Sequence, residues 1–140
     1  MIVVPFRPHH IEVFDVREAQ QEMRPYFSAA YAEAIAQTDA FTAFIDGRIV
    51  GCAGFIVPWP DRATCWALIA AGVTRRQMVE ITHSVERAIS LRTERRLEAT
   101  CDSNFEGAHN WLKRLGFTRE GTLRAYTPAG QDNDMYSRIK

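Results

Sequence analysis

Residues 63–71 read ATCWALIAA, apolar at positions that point to both faces of an extended strand. A strand of that kind has to be an interior strand, covered above and below. Three residues later, Thr74 opens the longest amphipathic segment of the chain, reaching about residue 92. Met78, Ile81, Val85 and Ala88/Ile89 repeat at helical spacing along it. Thr74-x-x-Gln77 is a capping-box pattern that fixes where this helix starts. An interior strand that feeds a long helix calls for a mixed sheet with helices on both faces.

The remaining segments fit around that pair. Residues 2–6 read as a strand closed by Pro8, and residues 10–21 as a helix with Ile11, Val13 and Phe14 inward, broken at Arg24-Pro25. Ser28 is placed to cap a second helix running to residue 36, with Tyr31 and Ile35 at i, i+4 spacing. Two β-rich runs, 40–45 and 48–57, flank Asp46-Gly47, the strongest short hairpin signal. Pro58, Pro60 and Asp61 make the next turn. Residues 97–101 form a short strand. Phe105, Ala108, Trp111/Leu112 and Leu115 stripe another helix, with Gly116 as its cap. The last two strands, 117–126 and 135–139, are joined through Thr127-Pro128-Ala129-Gly130. The order is β-α-α-β-β-β-α-β-α-β-β, an α/β class with a mixed sheet, read as a single domain over residues 1–140.

Charge excludes some partners. Seventeen basic residues balance seventeen acidic ones, so no global field draws the chain to nucleic acid or to a membrane surface. The basic residues are nearly all arginine, with lysine only at Lys113 and Lys140. Cys52, Cys65 and Cys101 are an odd number at long spacings without a C-x-x-C pair, which argues against a zinc site and for a reducing cytoplasm. Residues 1–5 lack the composition of a secretory signal, and no apolar run has transmembrane length.

The last third, N-F-E-G-A-H-N-W-L-K-R-L-G-F and onward from Asn104 to Lys140, resembles the C-terminal half of the GNAT superfamily of N-acetyltransferases. In that family a helix ending in L-G-F packs beside the coenzyme A arm. The order of strands and helices is the order of the GNAT fold from end to end. The resemblance implies an acetyl-CoA-dependent N-acetyltransferase, with direct attack of an amine on the thioester in a ternary complex. The acceptor would be a small-molecule or peptide amine, and a sheet edge could pair in a homodimer. A closer resemblance is to small phage-encoded GNAT-like proteins. It rests on Trp66-Ala67-Leu68, on the helix from Phe105 to Phe117 with its glycine at Gly107, and on the run from Glu120 to Asp132. It implies an alternative, a catalytically silent binding or virion-associated protein, found in the host cytoplasm or the virion.

The turn Val73-Thr74-Arg75-Arg76-Gln77-Met78 is the cofactor candidate, because a helix N-terminus with two arginines suits a pyrophosphate. Relatives use a glycine-rich turn there, whereas here these positions carry full side chains. Two readings stay open: a pyrophosphate site, or an ordinary capped helix. The resemblance places Asn104 against the pantetheine arm. It puts Trp111 near where a tyrosine usually protonates the leaving thiolate; an indole N–H donates a hydrogen bond but is no practical acid. Backbone amides of the central strand can polarise the thioester carbonyl. Candidate groups for proton transfer are Asp102, Tyr126 and Asp61. Glu33, Glu98, His109, Tyr136, Cys101 and the pair His9-His10 read as surface, core or helix-start residues.

Overall fold

The computed structural model describes all residues, 1–140. Seven strands are present: β1 (Ile2–Pro5), β2 (Asp39–Ile45), β3 (Arg48–Trp59), β4 (Arg62–Ile69), β5 (Arg96–Asp102), β6 (Thr118–Leu123) and β7 (Asn133–Ile139). Three α-helices accompany them: α1 (Ala29–Ala36), α2 (Arg75–Ser90) and α3 (Glu106–Arg114). The sheet order is β1-β2-β3-β4-β5-β7-β6. β4 and β5 are parallel, as a strand–helix–strand crossover through α2 requires. The backbone divides into two compact units, Met1–Ile56 with Ala67–Ser90, and Val57–Trp66 with Leu91–Lys140. β3 and β4 pass through both.

In the first unit, β1, β2 and β3 form an antiparallel ladder with a bulge at Ala43/Phe44. Asp46 and Gly47 take φ of 51° and 74°, the conformation a tight two-residue hairpin demands. The core holds Phe6, Ile11, Phe14, Val16, Ile35, Val50, Ile69, Ile81 and Ile89. Ser28 caps α1, its hydroxyl accepting the Tyr31 N–H at 3.1 Å. Ala32 and Ile35 face inward, whereas Tyr31 is exposed.

The expected helix over 10–21 takes a different form. Two 3-10 segments, Pro8–Glu12 and Glu18–Tyr26, flank an extended stretch in which Val16 bridges Ala70. Ile11 and Phe14 are buried as expected, but Val13 is exposed. Pro25 lies inside the second segment and does not end it. The physical reason is tertiary: residues 15–17 find backbone partners on β4's continuation, and the sequence pattern of a half-buried helix cannot reveal these.

In the second unit, β5, β7 and β6 pair antiparallel, with α3 ending at Gly116 (φ 89°). Leu97, Ala99, Ala108, Leu112, Leu115, Phe117 and Tyr136 are buried. Glu98 is buried too, held by Arg62 and Arg96; Arg96 also makes a bidentate pair with Glu120 at 2.9 and 2.7 Å. Burial alone would raise the Glu98 carboxyl, but the hydrogen bonds from Arg62 and Arg96 outweigh it and hold it below its usual range.

Candidate active site

β4 runs out at Ile69, and the chain turns into α2 through Gly72, whose φ of +75° only glycine adopts without strain. A Cβ there would lie 3.6 Å from the Arg48 guanidinium, which donates to the Ala71 carbonyl. Thr74 and Gln77 form the expected capping box. The Thr74 N–H donates to Gln77 Oε1 at 3.0 Å, and the Gln77 N–H to Thr74 Oγ1 at 3.2 Å. Of the four N–H groups that a helix start leaves without intrahelical acceptors, the box takes these two. The N–H groups of Arg75 and Arg76 are the other two, and both residues are exposed.

A hollow of about 240 Å³ opens at this turn. Val73, Thr74, Arg75 and Met78 line it with Arg17, Ile69, Ala70 and Gly72. The structure thus brings together four of the six turn residues expected to hold the cofactor; Arg76 is exposed beside them and Gln77 closes the box. Arg17 is the lining residue that sequence reasoning missed, and Arg48 the one that holds the Ala71 carbonyl just before the turn. Both are distant in sequence, and nothing in their local pattern marks them.

The second unit carries the other candidates. Asn104 is exposed in the β5–α3 loop, and its N–H donates to Asp102 Oδ1 at 2.8 Å. Asp102, the last residue of β5, therefore also stabilises the turn after it. Trp111 is half-buried on α3. Asp61 forms the β3–β4 turn with φ 68° and sits 4.0 Å from Arg95. Tyr126 is exposed in the β6–β7 connection. Asp102, Asp61 and Tyr126 make no direct contact with one another in hydrogen bonds or ion pairs.

Two buried polar clusters hold α3 and the last hairpin in place. His109 Nε2 lies 3.0 Å from the Ser103 carbonyl, which can only accept, so that nitrogen carries the ring proton. Nδ1 then accepts the Tyr136 hydroxyl at 2.6 Å, and Cys101 Sγ stands 3.8 Å away. Tyr136 is fully buried, so it packs and orients rather than meeting a ligand. Asp134 accepts from Ser103 at 2.6 Å, Arg119 at 2.7 Å and Thr122 at 2.9 Å. Arg119 and Ser103 hold its carboxyl down at about 2. His10 is likewise a core histidine: its Nδ1 accepts the Arg7 N–H at 3.0 Å and lies 2.7 Å from Thr42 Oγ1. All three cysteines are free thiols. Burial pushes Cys52 and Cys101 up to about 11 and Cys65 up to about 12.

No family model and no curated protein sequence matches the chain. Solved structures do. The Ard1 protein of Thermoplasma volcanium superposes with a TM-score of 0.79 at 17% identity, over 99% of this chain and 96% of that one. A GNAT-family acetyltransferase from Bacillus anthracis gives 0.72 at 12% identity, over 98% and 93%. A ribosomal-protein alpha-N-acetyltransferase solved in complex with coenzyme A gives 0.67 at 17% identity, over 83% and 76%. Strand order, the crossover through α2 and near-complete coverage agree: the chain has the GNAT acetyltransferase fold.

Proposed function

We propose that this protein binds acetyl-CoA and transfers its acetyl group to an amine by direct attack in a ternary complex. The observation that carries this is the start of α2. There the N–H groups of Arg75 and Arg76 lie outside the capping box, at the positive end of a sixteen-residue helix. The Arg17 and Arg75 side chains line the hollow at the same turn. Such an arrangement suits a diphosphate, with guanidinium groups making paired contacts to its oxygens. Val73 and Met78 give the hollow an apolar flank.

Coenzyme A, when bound, supplies an activated thioester carbonyl. The chain's own groups bind it: the turn is the proposed pyrophosphate site, and the family resemblance makes Asn104 and Trp111 the candidates for contacting the arm. The amine nitrogen bonds to the acyl carbon as the C–S bond breaks. The proton lost by the amine goes to Asp102 or Asp61, and the Tyr126 hydroxyl is the candidate donor to the leaving thiolate, each group being reachable from solvent. The acceptor belongs to the class of small-molecule or peptide amines. Pairing of two copies along an edge strand, β1 or β6, belongs to the same proposal.

Calorimetric titration with acetyl-CoA and with coenzyme A tests the reading. Binding at micromolar concentration is expected. Arg75→Ala or Arg76→Ala should weaken it roughly tenfold or more, the scale of one lost charge-assisted hydrogen bond. No heat at millimolar ligand would overturn it.

A second reading, a catalytically silent GNAT-fold binding or virion-associated protein, has its own observation. The turn carries the side chains of Thr74, Arg75, Arg76 and Gln77, and two of its N–H groups are already engaged within the chain. No binding of acetyl-CoA at millimolar concentration, or binding without turnover across a panel of amines, would favour it.

A further inference from the structure

The edge of β4 is closed by the chain's own N-terminal segment. Val16 bridges Ala70 in antiparallel fashion. On either side of that bridge the Arg17 N–H donates to the Ile69 carbonyl at 2.8 Å, and the Ala71 N–H to the Asp15 carbonyl at 2.7 Å. Further along, a side chain takes over from backbone. The Gln20 carboxamide donates to the Ala67 carbonyl at 2.8 Å and accepts the Ile69 N–H at 2.9 Å. One donor and one acceptor in a single plane is what a neighbouring strand's peptide groups would present to Ala67 and Ile69.

This arrangement bears on chemistry. The Ile69 and Ala71 N–H groups are central-strand donors of the kind that could polarise an acyl carbonyl. The Ala70 N–H goes to the Val50 carbonyl at 2.9 Å. Three successive donors at the end of the strand are therefore engaged within the chain. Ile69 and Ala70 also line the hollow at the α2 turn, as does Arg17 from the covering segment.

The covering segment is held unevenly. Ile11, Phe14 and Val16 are buried, so its first half is fixed by apolar packing. From Glu18 to Tyr26 no residue is buried. Its ties to other parts of the chain include the side-chain hydrogen bonds of Gln20, of Gln21 Nε2 to the Val16 carbonyl at 2.5 Å and of Arg24 to the Ile11 carbonyl at 2.7 Å, with one backbone bond from the Gln20 N–H to the Arg17 carbonyl at 2.8 Å. Segments with few buried apolar contacts open locally at the lowest cost.

We infer that Gln20 is a latch, and that it competes with the acyl donor for the Ile69 N–H. The second 3-10 segment swings off the β4 edge, turning about the anchored Val16–Arg17, and only then is that donor available to a thioester. The inference rests on the proposed acetyl-CoA reading. It adds a positioning role for a residue outside the cofactor turn.

The test uses the full chain and its Gln20→Ala variant. Hydrogen exchange without ligand should show the Ile69 amide exchanging about fivefold faster in the variant, the fold-change matching one hydrogen bond's net contribution. Amides of α2 and β5 should keep their rates, which shows that the fold is intact. Acetyl-CoA should then bind the variant about fivefold tighter than the parent chain. Unchanged Ile69 exchange would overturn the latch, because Gln20 would not be holding the edge. So would faster exchange with equal or weaker acetyl-CoA affinity, and in that case the proposed function would stand. No acetyl-CoA binding by either chain, with the Ile69 amide demonstrably freed, would remove the proposed function and the latch with it.

Discussion

Asp134 shows how much of this molecule rests on single carboxylates. It receives Ser103, Arg119 and Thr122 at once, and its carboxyl sits at about 2. Glu120 is also held at about 2, by Arg96 and then Ser137. An unfolded carboxylate titrates near 4, so in that interval the unfolded chain binds more protons than the folded one. The stabilisation is complete above about pH 4 and is lost as pH falls toward 2. Arg119→Ala should lower the thermal midpoint at mildly acidic pH and flatten its further fall below about pH 4. Thermal melts of both chains across that range decide it; parallel curves would show that Arg119 does not hold the Asp134 carboxyl. None of this was legible in the sequence. Asp134's partners lie 31, 15 and 12 residues away, and a carboxylate in a strand near a turn reads as surface. Arg17, Arg48 and Gln20 were hidden for the same reason.

Elements with local chemical signatures were legible. Asp46-Gly47 marked its hairpin because two consecutive positive φ values restrict what can stand there. Ser28 marked the start of α1, and Gly116 the end of α3. Thr74-x-x-Gln77 marked the start of α2 to the residue, and its energetic weight can be measured. Thr74→Ala removes the acceptor for the Gln77 N–H and should cost about 1 kcal/mol in urea unfolding. Gln77→Ala should cost a comparable amount, and the double variant less than the sum, since the two bonds form one device. Strict additivity would mean that the box does not act as a unit. Residues 10–21 failed as a helix because their apolar spacing satisfies a helix and an anchored irregular segment equally well. Only the bridge from Val16 to Ala70, 54 positions on, separates the two.

At the scale of the whole molecule, charge balance has a measurable outcome. Seventeen basic and seventeen acidic groups give a sequence pI near 6.9. Solubility under polyethylene glycol precipitation should pass through a minimum close to neutral pH and rise on both sides, because uncharged chains repel one another least. A solubility that climbs steadily through neutrality would contradict that. Fold class was legible from residues 63–71 leading into α2, and the succession of most elements from the local patterns along the chain; the order of strands within the sheet was not. The pattern of buried partners was not, because it is written in pairings between distant segments.

The three thiols carry one more consequence. Cys52, Cys65 and Cys101 all have their ionisation pushed to about 11 or 12, chiefly by burial. Disulfide reagents react with thiolates, so near neutral pH the folded chain is almost dark to them. Coenzyme liberated by turnover would then be read as colour against a blank background. A late rise in that colour without an amine present would report the chain coming apart rather than a reaction.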